Sequence, residues 1–86
     1  MIQNEFEKTY ISSATTTIPF TGKGILHNIV IGTTAAGTIT IKDGTTTIQV
    51  LKSSIAEGTY WFDVAIADGL SIVTAAASKI TVTWQK

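Results

Sequence analysis

The chain has no cysteine and no arginine, one histidine, one proline, and only 14% charged residues over 86 positions. Without cysteine there is no disulfide and no thiolate metal site. A single domain of this length buries roughly 60% of its unfolded surface, so its stability rests on a small core or on partners. The missing arginine removes the usual bidentate reader of phosphate and carboxylate. Six lysines balance six acidic residues, which leaves no electrostatic case for nucleic acid or for an anionic membrane. Thr, Gly and Ser interrupt the longest uncharged stretches, and none of them resembles a membrane-spanning helix. The opening residues, MIQNEFEK, have neither the basic segment nor the apolar segment of a signal peptide, so the expectation is synthesis in the cytoplasm.

What is present favours strands. Thirteen Ile and sixteen Thr are β-branched, stiff at χ1, and suited to a pleated surface. Apolar residues alternate with period two, and no long window carries a 3.6-residue stripe. The pattern predicts eight short strands, at residues 5–12, 15–20, 24–32, 38–42, 46–51, 59–66, 70–74 and 79–85. Asp43 and Gly44 predict a tight hairpin turn, and Glu57-Gly58 and Asp68-Gly69 mark two more. Residues 52–56 have room for one helical turn but not for a stable helix. The expected fold is all-β: one β-sandwich domain over residues 1–86, of jelly-roll type first and immunoglobulin-like or barrel second. Residues 1–8 are a candidate extended arm that pairs with a neighbour.

Two of these strands are apolar on both faces. In residues 24–32, Leu26 and Val30 are expected opposite Ile25, Ile29 and Ile31; in residues 59–66, Trp61 and Ala65 lie opposite Tyr60, Phe62 and Val64. A sandwich strand needs one apolar face only. Leu26, Val30, Trp61 and Ala65 are therefore the candidate interface, although a local bend or an overlying loop would also cover them.

The search for chemistry ends without a site. His27 is the sole histidine; a general base or a metal ligand needs company that the chain does not supply, so a histidine satisfied by hydrogen bonds is the expectation. Asp43, Glu57 and Asp68 sit beside turn glycines, where Asp and Gly serve the backbone. Asp63 alone interrupts an apolar strand, and neither a calcium loop nor a facing carboxylate pair surrounds it. No nucleophile elbow or P-loop occurs, and Tyr60, Trp61 and Phe62 have no basic residue in their strand. No catalytic, cofactor or metal residue is assigned, and the chain is read as not an enzyme.

The segments GKGILHNIVIG at residues 22–32, GTITIKDG at 37–44 and YWFDV at 60–64 together resemble small β-rich virion proteins of tailed bacteriophages, a likeness spanning residues 22–84. The resemblance implies a jelly-roll or sandwich protein, often a trimer, that decorates or cements a capsid or forms a head fibre, with itself and a major capsid or other virion protein as partners. It implies location in the virion and does not separate head from tail. No site residue carries over, because no site motif is matched. The alternatives are a carbohydrate-binding β-sandwich with Trp61 or Tyr60 stacking on a sugar, a tail-associated protein, and a small hydrolase.

Overall fold

The computed structural model describes residues 6–86. Among them eight strands form: β1 (Glu7–Ile11), β2 (Thr16–Phe20), β3 (Gly24–Thr33), β4 (Ile39–Asp43), β5 (Thr46–Leu51), β6 (Gly58–Ile66), β7 (Leu70–Thr74) and β8 (Lys79–Gln85). They build two four-stranded antiparallel sheets, in the orders β1-β8-β3-β6 and β2-β7-β4-β5. This is an all-β sandwich. The pairs nest: β4 pairs with β5, β3 with β6, β2 with β7 and β1 with β8. A chain wound this way is one long hairpin folded over and rolled, so each successive pair is further apart in sequence.

The inward faces of both sheets meet in one core. Leu26, Ile29, Ile31, Ile80 and Val82 come from the first sheet, and Phe20, Ile39, Ile41, Leu70 and Ile72 from the second; all are buried. At one end Phe20 packs on Trp84 with ring centroids 5.1 Å apart, and the Trp84 indole N–H donates to Thr9 Oγ1 at 3.0 Å. Gly24 is required there: a Cβ would stand 2.5 Å from the Phe20 ring and 2.8 Å from the Gln85 carbonyl.

The predicted hairpin forms one residue later than expected. Asp43 pairs with Thr46, which leaves Gly44 and Thr45 as the loop, with φ at +61° for Gly44. A positive φ at the first loop residue alone is the type II′ arrangement that suits the twist of the flanking strands. Asp43 instead reaches across, its carboxylate accepting from the Ala67 and Asp68 amides at 3.0 and 2.7 Å. Residues 52–57 form a turn, not a helix, and fold Ile55 into the core.

One expectation about the faces is overturned. Leu26 is 0% exposed and lies in the core, while Ile25, expected inside, is 40% exposed. A β-bulge causes the exchange: Leu26 pairs with Trp84 and Asn28 with Thr83, so β3 carries His27 as an extra residue against β8. The extra residue reverses the alternation. Leu26 and Ile29 thereby share the inner face. Leu26 is part of the core and not of an external interface. Of the candidate arm, residues 1–5 lie outside the described residues, and Glu7 and Lys8 pair with Trp84 and Thr83 of the same chain.

Candidate functional site

The candidate interface lies on the outer face of the β1-β8-β3-β6 sheet. Register places its side chains in rows across the strands. Gln85, Ile25 and Ala65 form one row, Lys8, Thr83, Asn28 and Trp61 the next, and Tyr10, Thr81, Val30 and Thr59 a third. Each of these alternates with an inward core residue, which fixes its direction. Trp61 is 65% exposed, Ala65 is exposed and Val30 is half-buried. Three of the four expected interface residues are thus brought together on one face, and Ile25, Phe6 and Tyr10 join them as exposed large apolar side chains.

A second bulge meets the first. Between the pairs Leu26–Val64 and Asn28–Trp61, β3 has one residue, His27, and β6 has two, Phe62 and Asp63. Asp63 has φ of +50°, in the left-handed region that Asp tolerates better than most side chains. The two irregularities turn His27 and Asp63 toward each other, and His27 Nδ1 lies 2.5 Å from Asp63 Oδ1. An ionised carboxylate only accepts, so Nδ1 donates and the ring is held in one orientation. Phe6 stacks on the imidazole at 4.1 Å with 13° between planes, and Trp61 meets it edge-on at 5.2 Å. Beside them Asn28 is only 8% exposed although it is on the outer face, and among the described residues its Oδ1 has no hydrogen-bond partner.

The cluster is therefore an aromatic patch with a carboxylate at its margin. His27 is oriented by Asp63 as in many catalytic dyads, but its hydrogen bonding among the described residues ends there. No three of His, Cys, Asp and Glu gather among the described residues to hold a metal, and no cleft opens there. What such a flat patch does well is dock: aromatic side chains supply large apolar area with little conformational entropy to lose. Composition and alternation single out Trp61 and His27. They do not pair His27 with Asp63, and the only hint is that both are polar residues in otherwise apolar strands.

No protein-family model and no curated protein matches this chain.

Proposed function

We propose that this chain is a non-enzymatic structural subunit of a phage particle, an oligomeric protein that decorates or cements a capsid or builds a head fibre. One observation carries the reading: Phe6, Tyr10, Ile25 and Trp61, all large and exposed, lie on a single sheet face. Exposed large apolar side chains gathered on one face mark an interaction site. The nested strand order supports the finer fold reading, a jelly roll of two four-stranded sheets. The near-neutral charge of the chain suits a surface that is covered in an assembly better than one that must stay soluble alone. Its partners are further copies of itself and a major capsid or other virion protein, with many weak contacts made strong by repetition across a lattice. The site of action is the virion.

The test is the protein content of purified particles from a host carrying the gene. We expect peptides of this chain in fixed proportion to the major capsid protein. Particles complete without it end the proposal.

A second reading, a carbohydrate-binding module, is favoured by one detail: the exposed Trp61 ring and the Asp63 carboxylate both contact His27, which gives a platform for a sugar's apolar face a polar neighbour. Binding of soluble oligosaccharides to the isolated protein, read by tryptophan fluorescence and lost in Trp61→Ala, distinguishes it from assembly. Assembly is preferred because Phe6, Tyr10 and Ile25 extend the apolar face well past a single ring.

A further inference from the structure

The aromatic patch has acceptors and a π face, and among the described residues no lysine is paired with them. Asp63 gives one oxygen to His27 and stays largely exposed. The Trp61 ring is open to solvent. Trp61 and Asp63 are both suited to one kind of group, a compact positively charged donor. An ammonium gains a cation–π contact with an indole and a charge-assisted hydrogen bond to a carboxylate.

The chain carries such a group on the same face. Lys8 lies in the same row as Trp61, at the opposite edge of the sheet, with β8 and β3 between them. Three inter-strand spacings, about 14 Å, separate the two backbones, too far for a lysine side chain to bridge within one chain. Among the described residues the one ion-pair contact is His27–Asp63, so no lysine there is engaged with a carboxylate.

We propose that copies of this chain associate through this face about a rotation axis parallel to its strands, with Lys8 of one copy seated against Trp61 and Asp63 of the next. The proposal rests on the reading of the chain as an assembly subunit. The axis direction follows from the shared row. Rotation about an axis along the strands leaves height along them unchanged, so the β1 edge of one copy meets the β6 edge of another at the same level. Lys8 then meets Trp61. An axis across the strands sets β1 against β1 and lysine near lysine, which repels. A two-fold axis along the strands lays the two faces over one another and sets Lys8 of each copy opposite Trp61 of the other. The molecule measures 38 × 27 × 18 Å, so its broad face offers on the order of 1,000 Å2, against roughly 800 Å2 per partner in a standard interface.

The absence of cysteine makes the geometry testable. Tyr10 and Thr59 end the neighbouring row at the same two edges. Separate Tyr10→Cys and Thr59→Cys proteins, mixed and treated with a bifunctional thiol cross-linker spanning the ~10 Å between stacked sheets, should form a cross-linked heterodimer, and Tyr10→Cys alone should not. In sedimentation, Lys8→Met and Asp63→Asn should each weaken self-association about tenfold, and the double variant should be no weaker than either single one, the signature of a direct pair. An oligomer that shows no such cross-link, cross-linking of Tyr10→Cys with itself, or additive effects of the two substitutions overturns this contact and leaves the assembly reading standing. A protein that remains monomeric at high concentration removes both.

Discussion

His27 occupies the extra position of β3, and its surroundings follow from that. In a regular strand its neighbours in the row would be fixed by pairing; at the bulge it turns to Asp63 and lies between Phe6 and Trp61. The Asp63 side of the contact is largely exposed, so the contribution of the hydrogen bond is small. We expect Asp63→Ala to cost at most about 1 kcal/mol in urea unfolding, and Asp63→Asn less, since an amide oxygen still accepts from Nδ1. Leu26 and Ile25 are adjacent and chemically similar but differ sharply in exposure. Leu26→Ala should cost about 2–5 kcal/mol, as buried leucines do, and Ile25→Ala only a fraction of that. Equal losses at the two positions would mean that the bulge is wrongly placed. Asp43 makes two hydrogen bonds to backbone amides of another turn; Asp43→Ala should cost about 1 kcal/mol.

At the scale of the strands, much is legible in the residue pattern alone. All eight predicted segments are strands, because period-two alternation of Ile, Val and Leu with Thr survives nearly everywhere. The outward placement of Trp61 and Ala65 is legible for the same reason. The inward placement of Leu26 is not. Its assignment requires counting through residue 27 without an irregularity, and a one-residue bulge reverses every face that follows. The His27–Asp63 contact is hidden by the same cause, since two bulges on neighbouring strands have no signature in alternation. Phe6 and Trp61 meet His27 only because β1, β3 and β6 share a sheet, and strand order is not encoded in local pattern. Gly24 offers a test of packing between the sheets. Gly24→Ala places a methyl group against the Phe20 ring and should destabilise by about 1–3 kcal/mol, seen as a lower urea midpoint.

For the whole molecule, association and stability are linked. If the outer face is covered by further copies, folding of the isolated chain is only part of its stability, and the urea midpoint should rise with protein concentration. Trp61→Ala should flatten that dependence while leaving the low-concentration midpoint nearly unchanged, because the ring lies outside the core. A midpoint independent of concentration in the unsubstituted protein counts against assembly through this face. The nested pairing also orders events in time. The β4–β5 pair closes across two residues, whereas β1 and β8 come from the two ends of the described chain. Closing a long loop costs more chain entropy than closing a short one, and each inner pair shortens the loop left for the next. We expect folding to start at the Gly44 turn and travel outward, on the millisecond-to-second scale usual for all-β domains. Stopped-flow kinetics should then find that Gly44→Ala mainly slows folding, whereas Thr9→Val, which removes the acceptor of the Trp84 indole N–H, mainly hastens unfolding.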